Sequence, residues 1–392
     1  MPSIESSGFP LVFKVRERPA GTGLETERRN RIEVAVRSLE GMQKEALVSL
    51  EPEDVVWRLV SDEGPYLNGK DMAPFPLAFF SCGMQFSFMS ELLREARCRD
   101  VVLDTLSLEQ DSFYSLEGSF LRGDARGGAK PAELRLSVRS SVSPAKMAEL
   151  VQAATTRSPA EILMRTALRN TFSLISNGMP MAIPELPSST SEGEPDPGRR
   201  FESIAPTPRS FRADIIERVK KCETVVGVEG GLGSSLRAEQ KRTLHIHGEA
   251  RWLGDLSMES LVYCYKPISS SFRFVCGETR GNGGHGSAPP PLAYLSAGIG
   301  FCYMTQLGRY AHIKKMKLDS YRIVQQNTYL DAGIEPVDTQ VFLDGDLAVE
   351  DDAASLVRMG ERTCFLHAAM RGEHPSRISV ELNGEPLAAR AG

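Results

Sequence analysis

The sequence predicts an α+β protein that contains the same structural unit twice. The segment at 76–89 aligns without a gap on the segment at 291–304, and half of the aligned positions are identical. A second set of residues between 150 and 178 recurs with the same spacing between 356 and 384. In both copies, alternating polar and apolar stretches typical of half-buried strands surround a long apolar segment typical of a buried helix.

Length and composition limit the class of protein. A chain of 392 residues is expected to form about two domains of ordinary size. The formal charge of −5 and the absence of a basic tract indicate no nucleic-acid partner. The sequence has no apolar run long enough to span a bilayer and no recognisable signal peptide, so we expect no membrane association. Seven scattered cysteines indicate reduced thiols and a cytoplasmic location.

The first copy is predicted to occupy residues 29–180. Residues 1–28 are rich in charge, Gly and Pro, and we expect them to form a flexible N-terminal arm. Strands are predicted at 31–37, 46–50 and 55–60, followed by a mostly buried helix at 76–97, strands at 101–113 and 134–140, and a helix from about 143. Ser158, Pro159 and Glu161 form a capping-box pattern that starts another helix, and a strand at 172–176 completes the copy.

Residues 181–211 are rich in Pro and Ser and predict an extended polar linker to the second copy at 212–392. In that copy, strands are predicted at 243–250, 261–265 and 272–276. A Gly-rich loop at 281–286, a buried helix at 291–311, strands at 316–326 and 337–343, a helix from about 349 and a strand at 378–382 follow. Each copy therefore predicts a mainly antiparallel sheet that covers two helices.

The two copies differ at two matched positions. Ser87 in the first copy aligns with Cys302 in the second, and Ser158 aligns with Cys364. Thiols therefore stand at both positions in one copy and hydroxyls in the other. This contrast indicates a function that depends on the thiol pair, although a free Cys on an apolar helix is by itself more typical of core packing.

These features resemble the OsmC/Ohr family of thiol-dependent peroxidases. A Gly-rich loop leads through Pro291 into a buried helix that carries Cys302, and Cys364 follows 62 residues later near a helix start. The resemblance covers nearly all of 240–386 and, more weakly, 31–178. Members of the family generally form intertwined dimers of one-domain chains, so the resemblance implies tandem OsmC-like domains that form an intramolecular pseudo-dimer. The first domain would be degenerate, and further homodimerisation of the whole chain is possible.

The resemblance also implies the chemistry. Cys302 would be the attacking thiolate and Cys364 the resolving thiol, with Arg251 as the candidate for the Arg that supports the thiolate in the family. Substrates would be organic hydroperoxides in an apolar pocket, partly lined by four aromatic residues: Tyr294, Phe301, Tyr303 and Phe365. A dithiol would act as reductant, and neither a cofactor nor a metal is expected.

Two differences from the family favour other hypotheses. Leu292 stands where the family has a Glu, and Phe365 stands where the family has a Pro after its second Cys. A cofactor-free hydrolase, lyase or isomerase for a small aromatic or lipid-like compound is therefore an alternative, with His367 beside Cys364 as a possible base. A non-catalytic ligand-binding protein is a third. His245 and His247 share one strand face and could hold a metal, but the sequence shows no third ligand.

Overall fold

A computed structural model describes residues 2–17, 30–207, 214–222, 240–265, 269–347 and 350–387. The α-helices of these ranges are α1 (Ile4–Ser7), α2 (Pro76–Cys98), α3 (Pro144–Arg157), α4 (Pro159–Arg165), α5 (Pro291–Lys314), α6 (Glu350–Thr363) and α7 (Phe365–Arg371). Pro76 and Pro291 occupy the first position of the two long helices, where the fixed φ of proline suits a helix start and its missing N–H is not needed.

The strands of the N-terminal half are β1 (Val12–Glu17), β2 (Asn30–Ser38), β3 (Lys44–Glu51), β4 (Val55–Ser61), β5 (Thr105–Gly118), β6 (Arg126–Ala129), β7 (Glu133–Arg139), β8 (Thr171–Ser176) and β9 (Met179–Met181). Those of the C-terminal half are β10 (Ile216–Lys220), β11 (Gln240–Gly254), β12 (Ser257–Cys264), β13 (Ser271–Gly277), β14 (Lys317–Leu330), β15 (Gly333–Ile334), β16 (Asp338–Asp346), β17 (Arg377–Leu382) and β18 (Glu385–Pro386). Most of the predicted helices and strands are therefore present with shifted ends.

The strands form two nine-stranded sheets with the same kind of order. Sheet A runs β1-β4-β3-β2-β14-β16-β8-β9, with β15 paired to β14. Sheet B runs β10-β13-β12-β11-β5-β7-β17-β18, with β6 paired to β5. All neighbouring strands are antiparallel except β8 with β16 and β7 with β17. The predicted α+β class, with two mainly antiparallel sheets, is confirmed.

Each sheet combines strands from both halves of the chain. Sheet A takes β1–β4, β8 and β9 from the N-terminal half and β14–β16 from the C-terminal half. Sheet B takes β10–β13, β17 and β18 from the C-terminal half and β5–β7 from the N-terminal half. Neither half completes a sheet alone, which is consistent with the predicted tandem arrangement. The domain boundaries themselves stay a prediction.

The two long helices pack between the sheets. Helix α5 lies on β2, β3 and β14 of sheet A, whereas α2 lies on β5, β11 and β12 of sheet B, and the two helices contact each other. Their backbones approach closely where Gly83 faces Leu295 and Gly298 faces Phe80. The result is a four-layer core in which residues of both helices are buried on nearly all sides.

Two segments differ from the prediction. Residues 12–17, expected in a flexible arm, form β1 at the edge of sheet A because Val12 and Phe13 are buried there; residues 18–28 of that arm lie outside the described ranges. Residues 181–207, the described part of the predicted linker, include a 3-10 helix at Pro197–Phe201 and pack on sheet A. Phe201 is 3% exposed and packs on the outer face of sheet A, and Asp196 forms an ion pair with Arg322. Within the described ranges, no helix combines the length and apolar character needed to cross a membrane.

Candidate active site

The structure brings Cys302 and Cys364 into contact. Cys302 lies in the middle of α5, and Cys364 is the N-cap residue of α7, at the junction with α6. Their Sγ atoms are 3.4 Å apart and both residues are buried. A disulfide bond would require about 2.05 Å, so the pair is reduced and needs an approach of little more than 1 Å to close.

Cys364 begins α7, so the sulfur atoms of the pair lie at the N-terminal turn of that helix. The backbone of Leu366 acts to lower the pKa of Cys302 and the backbone of His367 acts to lower the pKa of Cys364, although the Cys364 side chain makes no capping hydrogen bond. The first turn of α7 therefore favours a thiolate at the pair.

The pair favours one thiolate rather than two. Burial opposes ionisation of Cys364, but the adjacent Cys302 and the side chain and backbone N–H of His367 outweigh it and hold the Cys364 pKa well below its usual value. Burial and the neighbouring Cys364 raise the pKa of Cys302 well above that value. When the pair carries one negative charge, that charge therefore lies on Cys364 and the remaining proton on Cys302.

His367 lies in the core beside Cys364. Its imidazole is fully buried and contacts the rings of Phe172 and Tyr303, with ring centroids 5.6 and 4.9 Å away. Neither ring nitrogen has a hydrogen-bond partner among the described residues. The imidazole is therefore a buried neighbour of Cys364 and not an exposed base.

A small cavity of about 20 Å³ opens beside Cys302. Its wall includes Phe365 of the C-terminal half and Glu63, Phe75 and Leu77 of the N-terminal half. This volume holds about one water molecule. Cys302 therefore lies on a cavity that both halves build, whereas Cys364 is not part of its wall.

Glu63 is the main polar group of this cavity. It follows β4 and is 2% exposed. Thr305 of α5 donates a hydrogen bond of 2.6 Å to its carboxylate, and the Tyr66 hydroxyl donates another of 3.1 Å. The ammonium group of Lys44 lies 3.9 Å away, and burial lowers the pKa of Lys44. Glu63 is thus held as part of a buried polar cluster next to the pair.

One cation, Arg309, lines the cavity itself. Arg309 lies two turns beyond Cys302 on α5, lines the cavity and is 1% exposed. Its guanidinium stacks over Phe120 at 4.7 Å from the ring centroid. Lys44, Glu63 and Arg309 were not identified from the sequence, because none lies at the spacing from Cys302 that the family pattern uses. One sequence feature could have identified Arg309: it is a charged residue within an otherwise apolar helix.

The matched serines form the same arrangement at the other end of the core. The Ser87 and Ser158 hydroxyls are 3.0 Å apart, and both are buried. Ala160 N–H donates to Ser87 at 3.3 Å, and Glu161 N–H donates to Ser158 at 3.4 Å. Ser158 is the N-cap residue of α4, as predicted from its capping pattern. The structure therefore holds two equivalent pairs, one of thiols and one of hydroxyls.

The hydroxyl pair lies beside a much larger cavity of about 560 Å³. Its wall includes Ser87, Ser90, Arg94 and Glu278, and the last two are paired at 3.3 Å. In the alignment of the two copies, Arg94 corresponds to Arg309 and Glu278 corresponds to Glu63.

Most of the predicted pocket residues lie elsewhere. Phe365 lines the cavity at Cys302, but Tyr294, Phe301 and Tyr303 are fully buried in the core. Tyr294 donates to the carbonyl of Val275, and Phe301 packs on Phe79. These aromatic rings fill the interior because α5 is covered on every side.

The structure does not bring Arg251 to the pair. Arg251 lies on β11 with a side chain that is 69% exposed and forms an ion pair with Glu259 on β12. It points to solvent, because its position on β11 has the opposite side-chain direction to the buried Ala250. The cation that supports the thiolate in the family is therefore not supplied by Arg251.

Two of the comparisons with known proteins give a match. The model of the family described as OsmC-like protein matches residues 284–380, about a quarter of the chain. A solved structure, an OsmC-like hydroperoxide resistance protein from Jannaschia sp. CCS1, is similar with 21% identity over 33% of this chain and 82% of that chain, at a TM-score of 0.21. No curated protein matches. The chain therefore contains an OsmC-like domain over residues 284–380, and this domain includes both Cys302 and Cys364.

Proposed function

We propose that this protein is a thiol-dependent peroxidase in which Cys302 and Cys364 form the redox pair. The observation that carries the proposal is the 3.4 Å contact between two buried, reduced sulfur atoms at the N-terminal turn of α7. This arrangement favours a thiolate and leaves a second thiol within reach of the product of the first step. The similarity of residues 284–380 to OsmC-like proteins supports the same reaction.

Cys302 is the attacking residue in this proposal because it lines the cavity and Cys364 does not. Its proton passes to the Cys364 thiolate, 3.4 Å away. The Cys302 thiolate then attacks the terminal peroxide oxygen, so that an S–O bond forms, the O–O bond breaks and an alkoxide leaves. The alkoxide takes the proton from Cys364, which gives an alcohol and a sulfenic acid on Cys302.

Cys364 completes the cycle as the resolving residue. Its thiolate attacks the sulfenic sulfur, the S–S bond forms, and hydroxide leaves and takes a proton from solvent as water. Two electrons from an external dithiol then restore both thiols. The pair is oxidised by two electrons and the peroxide is reduced by two.

The substrate class follows from the cavity and its wall. A volume of about 20 Å³ admits the peroxide end of a molecule but not an organic group. The surrounding wall is apolar at Phe75, Leu77, Leu244 and Phe365. We infer that an organic hydroperoxide binds with its apolar part against these side chains, after they separate to admit it.

The alternative of a Cys/His hydrolase has less support. A site made of Cys364 and His367 would have to reach a substrate, yet both are fully buried and neither lines the cavity. Cys302, the other candidate nucleophile of this alternative, does line it.

The tandem arrangement is part of the proposal. We infer that the chain is a fused pseudo-dimer in which the N-terminal half carries the hydroxyl pair and completes the thiol site with Glu63. The matching strand orders of the two sheets and the matching contacts of the serine and cysteine pairs support this.

Single-turnover kinetics test the function. Reduced full-length protein is mixed with cumene hydroperoxide, and peroxide loss is compared among wild type, Cys302→Ser, Cys364→Ser and the control Cys98→Ser, which alters an exposed cysteine. We expect no rapid turnover in Cys302→Ser, one turnover with a trapped sulfenic acid in Cys364→Ser, and wild-type behaviour in Cys98→Ser. Rapid peroxide loss in Cys302→Ser would exclude this residue as the attacking thiol.

A further inference from the structure

Three side chains with metal-ligating atoms converge on the outer face of sheet B. His245 and His247 lie on β11, and Asp111 of β5 lies directly opposite His247. The intervening Ile246 is 1% exposed and faces the helices. Because side chains alternate along a strand, the three residues project away from the core and from the cysteine pair.

The geometry of the cluster is compact. Nε2 of His245 lies 2.5 Å from Oδ1 of Asp111, and Nδ1 of His247 lies 2.8 Å from the same oxygen. The His245 ring is stacked on Tyr265 at a centroid distance of 4.8 Å and lies 4.5 Å from Phe113. The ligand atoms are therefore aimed at one point by rings that have little freedom to turn away.

The surroundings of the cluster favour a cation. The second Asp111 oxygen, Oδ2, accepts a 2.6 Å hydrogen bond from Arg135, which also binds Glu109. Nε2 of His247 lies 3.5 Å from Glu249. Two carboxylates thus bind the Arg135 guanidinium, and a third, of Glu249, lies behind the His247 ring. A carboxylate behind a metal-bound imidazole orients the ring and strengthens it as a ligand.

We propose that His245, His247 and Asp111 bind one divalent transition-metal ion of the Zn²⁺ class. Two imidazoles and one carboxylate are a donor set that such ions prefer, with a fourth position open to water. Metal–ligand distances of about 2.0–2.1 Å in a tetrahedral site place ligand atoms about 3.3 Å apart, so the two N···O distances lengthen on binding. The three side chains are 10–26% exposed, which leaves room for this movement.

The site would join the two halves of the chain. Asp111 belongs to the N-terminal half and both histidines to the C-terminal half, and their strands form the central junction of sheet B. A bound ion would therefore act as a clamp between β5 and β11, separate from the thiol chemistry on the other face of the sheet.

Cobalt and zinc titrations of the full-length reduced protein test the proposal. The variants are His245→Ala and Asp111→Asn, which removes the charge but keeps the shape of the side chain. The control is His285→Ala, which alters a histidine that is 76% exposed and outside the cluster. We expect one equivalent to bind in wild type and control, with affinity at least about tenfold weaker in both cluster variants, and the cobalt complex to lack thiolate-to-cobalt charge-transfer absorption.

Zinc is also expected to raise the melting temperature of the wild type and the control but not of Asp111→Asn. Equal affinity in Asp111→Asn and His285→Ala, no binding by the wild type at micromolar zinc, or a thiolate charge-transfer band for the bound cobalt would each overturn the proposal.

Discussion

The close contact of α2 and α5 requires glycine at two positions. A Cβ atom at Gly298 would lie 2.7 Å from the backbone nitrogen of Phe80, and one at Gly83 would lie 2.5 Å from the backbone nitrogen of Leu295. The obstacles are backbone atoms of the facing helix, so no change of rotamer relieves them. Substitution by Ala must push the helices apart.

The size of the effect follows from these distances. Gly298→Ala requires the 2.7 Å contact to widen by about 0.7 Å to reach the 3.4 Å of ordinary packing. Forcing an extra methyl group into a packed core costs about 1–3 kcal/mol. Replacing a Gly in the middle of a helix by Ala stabilises the helix by about 1 kcal/mol, which offsets part of this cost. We expect a net loss of about 1 kcal/mol in the free energy of unfolding, and a larger loss for Gly83→Ala, where the contact is shorter.

Gly300→Ala is the matched control on the same helix. A Cβ atom there meets only the side chains of Gln325, Val36 and Val34, at 3.2–3.3 Å, and these can shift. Urea denaturation of the full-length chain, followed by tryptophan fluorescence and circular dichroism, gives the midpoints. Gly298→Ala should unfold at a lower urea concentration than Gly300→Ala. The slope of the free energy of unfolding against urea concentration should be the same for both variants. Equal midpoints for the two variants would show that the helix contact is not as tight as described.

Three further predictions concern the two pairs and the buried acids. The double substitution Ser87→Cys with Ser158→Cys should create a second disulfide after peroxide treatment, since the hydroxyls are 3.0 Å apart; a peptide map without that link would refute the equivalence of the pairs. Glu63→Gln should cost about 3 kcal/mol in urea denaturation by removing a carboxylate that is paired with the buried Lys44 ammonium, and Lys44→Met added to it should recover most of the loss. Asp62 has a pKa raised to about 6 by burial, so its contribution to stability is present below its unfolded pKa near 3.8 and is lost as pH rises through 6. Asp62→Asn should therefore flatten the pH dependence of stability between these values, by at most about 3 kcal/mol, and an unchanged slope would contradict the shift.

Local patterns predicted the elements well but not the exchange of strands. The apolar runs after Pro76 and Pro291 predicted both central helices, because a helix that is buried on all sides is apolar around its whole circumference. Alternation predicted most long strands. It contains no information about which strand pairs with which, so the mixing of both halves in each sheet follows only from the family resemblance and not from the periodicity.

The site was predictable where it depends on sequence spacing. Cys302 and Cys364 were paired by the family spacing, and the structure brings them together. Glu63 shares the cavity with Cys302 only because α5 packs on sheet A, a long-range contact that no local pattern shows. Arg251 shows the converse: its strand was predicted, but the face that it occupies depends on register, and that face is exposed.

The pocket positions predicted for the aromatic residues of α5 differ from those in the structure for a related reason. A helix that is buried on every side gives no sign of which neighbours of Cys302 face a cavity and which face the core. Tyr303 and Phe301 face the core, and Phe365, on the short α7, faces the cavity. In the same way, Asp111 lies more than a hundred residues from His245 in sequence, and only the pairing of β5 with β11 unites them.

The measurement that tests the central proposal most directly is peptide mapping after one equivalent of an organic hydroperoxide is added to the reduced protein. We expect a rapid disulfide between Cys302 and Cys364, formed before the other five cysteines react, including the exposed Cys98. Slow oxidation spread over all seven cysteines, with Cys98 modified first, would contradict it. In that case the contact between the two sulfur atoms would be a packing feature of an OsmC-like fold that has lost the chemistry of its relatives.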